Sequence, residues 1–157
     1  DRVAATHPGL RLVIAGADGW GAEALTAAIR GAAAGDGVGR LGYVTDDDRR
    51  DLLAGAAVLA YPSLDEGFGH PPLEAMHAGV PVVAARAGAL PEVLGDAARL
   101  ADPTSVDDLA RALTAVLDDD ALRARLVAAG VRRVVQYSWA ATADALVECY
   151  RRLALTR

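Results

Sequence analysis

Short apolar runs alternate with longer stretches of helical spacing along most of the chain. Leu10 to Ala15 (LRLVIA) is an apolar run closed by Gly16, with the length and composition of a buried strand. Ala22 to Ala34 then places Leu25, Ala28, Ile29 and Ala32 on one helical face. Val38 to Val44 reads as a second, weaker strand. Thr45-Asp46-Asp47-Asp48 reads as the N-cap of a brief helix, Arg49 to Ala54. Ala57 to Tyr61 (AVLAY) is a third strand, stopped by Pro62. A loop rich in glycine and acid leads to a helix from about Pro71 to Ala78, ended by Gly79. Pro81 to Ala85 and Ala98 to Ala101 are the fourth and fifth strands. Ser105 to Leu117, Ala121 to Val135 and Ser138 to Leu155 are helices.

Strands that read as apolar rather than period-two, alternating with helices, predict an α/β fold: a three-layer, Rossmann-like domain whose parallel sheet of at least four strands is covered on both faces. Ligands of such sheets bind outside the carboxyl ends of the strands, which singles out the loops after Ala15, Tyr61 and Ala85. The length of 157 residues, 53% of them hydrophobic, suits one domain over residues 1–157, and no interdomain linker stands out. A net charge of −5 argues against nucleic acid or an anionic membrane surface as partner. No apolar run approaches the roughly 20 residues of a membrane span, and the first residues lack a signal-peptide layout, so a cytoplasmic location is expected. The one cysteine, Cys149, excludes an internal disulfide and a cysteine cluster for zinc, and is expected to pack as a small apolar residue on the last helix.

The oddest residues fall in the loop after Tyr61, where residues 62–79 read PSLDEGFGHPPLEAMHAG. Gly67 and Gly69 allow a close backbone approach to a ligand. Pro71 and Pro72 suit a first helical turn, so the glycines run into a helix N-terminus, whose amides and partial positive charge favour phosphate. Glu66 and Glu74 bracket the segment with seven residues between them. Carboxylates accept hydrogen bonds from vicinal hydroxyls, so a sugar nucleotide suits the combination.

This segment, EGFGHPPLE, resembles the signature of the retaining glycosyltransferases of family 4, also called group 1, which have the GT-B architecture of two Rossmann-like domains. The resemblance continues through Pro62-Ser63, Glu74-Ala75-Met76, Gly79-Val80-Pro81-Val82-Val83, Gly88-Ala89-Leu90-Pro91-Glu92-Val93, Gly95-Asp96-Ala97-Ala98, Asp102-Pro103, Leu122-Arg123, Gly130 and Ser138-Trp139. It implies the C-terminal, donor-binding half of such an enzyme. On that resemblance Glu74 accepts from the ribose hydroxyls and Glu66, the residue nearest the reaction, contacts the transferred sugar. The backbone around Gly67, Phe68, Gly69 and His70 lies against sugar and diphosphate, and the turn at Gly42-Tyr43-Val44 flanks the base. Gly16 belongs to the loop on the ligand side. His70 stands where leucine is common in the family.

The resemblance also implies a nucleotide diphosphate sugar as substrate, no metal and no other cofactor. It implies an acceptor held by an N-terminal domain, through which alone a membrane surface would be touched. That domain, the first strand of the donor domain and a basic diphosphate clamp are expected ahead of Asp1. This chain alone is then expected to be inactive.

Other readings of the same residues differ in what they require. Glu66 and Glu74 could be the acid and base of a glycosidase, but a helix N-terminus aimed at the site favours phosphate. Glu74 could simply complement the helix dipole from the first turn. A nucleotide-sugar-binding module without catalysis fits the same motif. A nicotinamide oxidoreductase does not, because Gly16, Gly19 and Gly21 lack the dinucleotide spacing. The Asp46–Asp48 and Asp118–Asp120 triplets are explained by helix capping. Arg132 and Arg133 read as solvated helix residues, and Trp139 as a packing anchor.

Overall fold

Parallel pairing follows from the way the chain returns: paired strands are joined by crossovers of a dozen or more residues that contain a helix. The computed structural model describes residues 1–19 and 21–155 and resolves two units, residues 1–56 and 57–157. The first holds α1 (Arg2–Thr6), β1 (Leu12–Ala15), α2 (Ala22–Gly31), β2 (Val38–Gly42) and α3 (Asp46–Ala54). β1 and β2 pair in parallel from Leu12 opposite Val38, with a register shift between Ile14 and Ala15. Thr45 caps α3 as its sequence indicates. Its hydroxyl accepts from the Asp48 amide and the Asp48 carboxylate accepts from the Thr45 amide, a reciprocal capping box.

The second unit contains β3 (Leu59–Tyr61), α4 (His70–His77), β4 (Val82–Ala85), α5 (Leu90–Leu94), β5 (Ala98–Ala101), α6 (Val106–Asp118), α7 (Asp120–Val134) and α8 (Trp139–Leu155). β4 is central, parallel to β3 through Leu59–Val82 and to β5 through Val82–Ala98. Val82 to Ala85 are all essentially inaccessible although successive side chains face opposite ways, so both faces of this sheet are covered. On one face Val83 and Ala101 meet Ala112, Val116 and Leu126 of α6 and α7. α7 also packs closely on α4, because Gly130 presents no side chain to Met76; a Cβ there would lie 2.9 Å from Met76 Cγ.

The strand and helix types agree with the sequence expectation, and most boundaries fall within two or three residues. The expectation of one sheet of at least four strands is not met. The ladders are a two-stranded β1-β2 and a three-stranded β3-β4-β5. β1 is also less covered than its apolar composition predicts: Leu12 and Val13 are about half exposed, and no described residue of 1–56 is buried. An apolar strand reads as buried in a sequence whether or not the neighbour that would cover it is present.

α5 was hidden by Gly88 and Pro91, though Leu90, Val93 and Leu94 show helical spacing and are buried. Trp139 and Cys149 correct the sequence reading, since both are exposed on α8, and Trp139 is not a packing anchor. Among the described residues, no helix is long and apolar enough to cross a membrane.

Replacing Gly130 with valine drives two methyl groups into Met76. We expect a loss of roughly 1–3 kcal/mol, read as a lower urea midpoint at an unchanged m-value.

Candidate functional site

The loop between β3 and α4 is built by fixed backbone angles at its helical end. Gly69 caps α4 at φ +95°, ψ +57°, and an added Cβ would lie 2.6 Å from Leu90 Cδ2, so the position demands glycine twice over. Gly67 differs: its φ is not in the left-handed region, and a Cβ there would meet nothing within 4 Å.

His70, Pro71 and Pro72 open the helix. This refines the expectation of a donor-rich N-terminus, because the two prolines remove two amides that a helix start normally leaves free. The remaining donors are gathered just upstream. None of the amides of residues 67–70 donates to another group among the described residues. The helix start thus presents a short run of consecutive loop amides where the helix dipole is positive, an arrangement that receives anions.

Glu66 is half-buried and held at both backbone and side chain. Its carbonyl accepts from the Ala89 amide at 2.9 Å, and its Oε1 accepts from the Tyr61 hydroxyl at 2.5 Å. Ser63 Oγ lies 3.5 Å from the same oxygen and donates to the Asp65 carbonyl at 2.9 Å. Gly88 permits this approach: at φ +54°, a Cβ on it would stand 2.6 Å from both the amide nitrogen and the carbonyl oxygen of Glu66. The Tyr61 hydroxyl is pushed up to about 12, first by burial and then by its hydrogen bond to Glu66 and that carboxylate's charge.

Glu74 is half-buried and is the fifth residue of α4, not a first-turn residue. The macrodipole acts mainly on the end turns, so its position removes the simplest structural explanation of the acid.

Phe68 lies on the loop with its ring 5.0 Å from that of His70 and edge-on to Tyr137 at 5.4 Å. Tyr137 is fixed in turn: its hydroxyl donates to the Val93 carbonyl at 3.1 Å, and the Arg133 guanidinium sits 5.3 Å over its ring. Arg133 Nε donates to the same carbonyl at 2.8 Å, and its Nη2 donates to the Glu92 carbonyl. Arg133 therefore closes the C-terminal carbonyls of α5, which corrects its reading as a solvated helix residue. Its partners lie about 40 residues away in the chain, so no local pattern reveals them. Tyr61 is a further site residue that the strand pattern alone does not single out, although a hydroxyl-bearing aromatic five residues before Glu66 is a usable signal.

The structure thus brings Glu66, Gly67, Phe68, Gly69, His70 and Glu74 onto one loop and helix of residues 57–157. Gly16 and Val44 belong to residues 1–56. Gly16, at φ +139°, donates to the Gly42 carbonyl at 2.7 Å. It lines a pocket of about 160 Å³ at the end of β1, where Asp18 pairs with Arg40. Val44 is half-buried in the turn after β2. His77 is exposed.

Residues 1–133 match the family described as glycosyl transferases group 1. The chain belongs to that family. It is 38% identical over 142 residues to the O-antigen chain mannosyltransferase B of Escherichia coli, covering 90% of this chain and 37% of the relative. Among solved structures, sucrose-phosphate synthase from Thermosynechococcus elongatus superimposes with a TM-score of 0.83 at 27% identity, covering 99% of this chain and 41% of that one. Anabaena HepE in complex with UDP-glucose superimposes with a TM-score of 0.75 at 26% identity, covering 82% and 37%. This group 1 chain spans less than half the length of each of these proteins. Its parallel α/β fold is that of the Rossmann-like C-terminal half of GT-B glycosyltransferases.

Two glycines of the site should behave oppositely. Gly88→Ala is expected to cost roughly 1–3 kcal/mol of stability, since it meets backbone atoms from a left-handed conformation. Gly67→Ala is expected to be neutral or to stabilise by about 0.4–1 kcal/mol. Thermal melts of the two variants distinguish the positions.

Proposed function

We propose that this chain is the donor-binding half of a retaining glycosyltransferase, taking a sugar from a nucleotide diphosphate sugar to an acceptor hydroxyl. The observation that carries this most is the run of free amides at residues 67–70, set at the positive end of α4 and bracketed by Glu66 and Glu74. Amides and dipole suit the diphosphate. Glu74, set beyond the dipole's main reach, is suited to accept from paired ribose hydroxyls, and Glu66 from a hydroxyl of the transferred sugar. The relatives agree in class: a mannosyltransferase in sequence, and in structure a protein in complex with UDP-glucose.

In this proposal the acceptor oxygen bonds to the anomeric carbon while the bond from that carbon to the donor phosphate breaks on the same face. A donor phosphate oxygen takes the acceptor proton. The chain needs no nucleophile of its own for this, and no metal. Its part is to hold the sugar in place and to stabilise the departing diphosphate with preorganised donors. The base-flanking role of the turn at Val44 and the ligand-side role of Gly16 belong to the same proposal.

The chain spans less than half the length of its relatives, and the acceptor is assigned to a further domain of the whole protein.

Isothermal titration of this chain with UDP, GDP and ADP tests the proposal. Glu74→Gln is expected to weaken the preferred nucleotide by about 1.5–3 kcal/mol, roughly ten- to a hundredfold. Unchanged affinity with a lowered melting temperature would return Glu74 to a structural role. Incubated with donor sugars and simple acceptors, the chain alone is expected to transfer nothing, and measurable turnover would overturn the assignment of the acceptor to a further domain.

A further inference from the structure

The Glu66 carboxylate is the best-held side chain of the loop, and what holds it lies outside the motif. Tyr61 is the last residue of β3 and sits in register opposite Ala84 of the buried central strand, so its backbone is anchored by the ladder. From that anchor its hydroxyl donates to Glu66 Oε1 at 2.5 Å. The backbone of Glu66 is set independently, by the Ala89 amide on its carbonyl and by the bare Cα of Gly88 against it. No hydrogen bond engages Oε2 among the described residues. One carboxylate oxygen is therefore committed to the protein and the other remains for a ligand.

We propose that Tyr61 is a positioning residue for sugar recognition: its hydroxyl occupies Glu66 Oε1 so that Oε2 is presented in one fixed orientation to a hydroxyl of the transferred sugar. This rests on the sugar-contacting role proposed for Glu66. Because burial and the neighbouring carboxylate hold the phenol up to about 12, Tyr61 remains a donor throughout the neutral range. A carboxylate acting only as a surface charge would need no such partner. A phenylalanine at the end of β3 would fill the same space.

The effect should appear in the sugar moiety alone, so the quantity to measure is the ratio of affinities for a nucleotide sugar and its parent nucleotide. Isothermal titration of this chain with UDP, UDP-glucose, GDP and GDP-mannose supplies that ratio for the preferred base. Tyr61→Phe is expected to lower it about three- to tenfold while leaving nucleoside diphosphate affinity unchanged. In the Glu66→Gln background the same replacement should change the ratio no further.

A Tyr61→Phe variant with the parent ratio overturns the proposal, as does an equal fall in the ratio with and without the Glu66 carboxylate. A fall in affinity for sugar and nucleotide alike, with a lowered melting temperature, also overturns it by showing a purely structural part. If Glu66→Gln itself leaves the ratio untouched, the failure lies in the sugar-contacting role of Glu66. A parent chain that binds none of the four probes overturns the donor site and this proposal with it.

Discussion

The close approach of two backbone loops, Gly88 against Glu66, is the constraint on which the candidate site depends. A Cβ on Gly88 would overlap both backbone polar atoms of Glu66, so the loops that follow β3 and β4 can meet only where one of them has no side chain. That meeting fixes the Glu66 carbonyl on the Ala89 amide and brings Leu90 against Gly69. α4 therefore starts where the loop after β4 allows it to start. The two strands are neighbours in a parallel ladder, and the carboxyl ends of adjacent parallel strands lie on one edge. The architecture delivers the two loops to the same place, and the glycine lets them touch.

Behind this contact stands a second layer that acts on the aromatic part of the loop. Arg133 satisfies the carbonyls of Glu92 and Val93 at the end of α5 and lies over Tyr137, whose ring packs perpendicular to that of Phe68. Carbonyls at a helix end need donors, and a guanidinium supplies several in one plane. Phe68 therefore owes its placement to residues about seventy positions later in the chain. α7, which carries Arg133, is itself set against α4 by the Gly130–Met76 contact. The helix that begins the site and the arginine that supports it share one packing interface.

Much of the fold was legible because its signals are local. Ala98 to Ala101 is a short segment flanked by Gly95-Asp96 and Asp102-Pro103, and its strand boundaries match the structure. Thr45 and Asp48 form a cap that a four-residue stretch of sequence specifies. The segment from Glu66 to Glu74 was legible because glycine and proline restrict backbone choices directly. What stayed hidden is non-local. Arg133 looks like any charged helix residue until α5 is placed beside it. Tyr61 looks like one more apolar strand residue until the loop folds back. Trp139 is exposed because size and apolarity lead to burial only where a neighbour provides it, and the division of the strands into two ladders likewise depends on partners that no local pattern specifies.

The proline pair at the start of α4 has a consequence for the thermodynamics of any ligand. Pro71 and Pro72 have φ set by their rings, Gly69 is wedged in one basin by Leu90, and Glu66 is held by backbone and side chain together. The conformational entropy of this turn is surrendered during folding, before a ligand arrives. An anion entering it has little ordering of the protein to oppose it, so differences in affinity among ligands reflect the groups they bring to fixed donors and acceptors. A loop of the same length without these restraints would discriminate less, because it could rearrange to suit each ligand in turn.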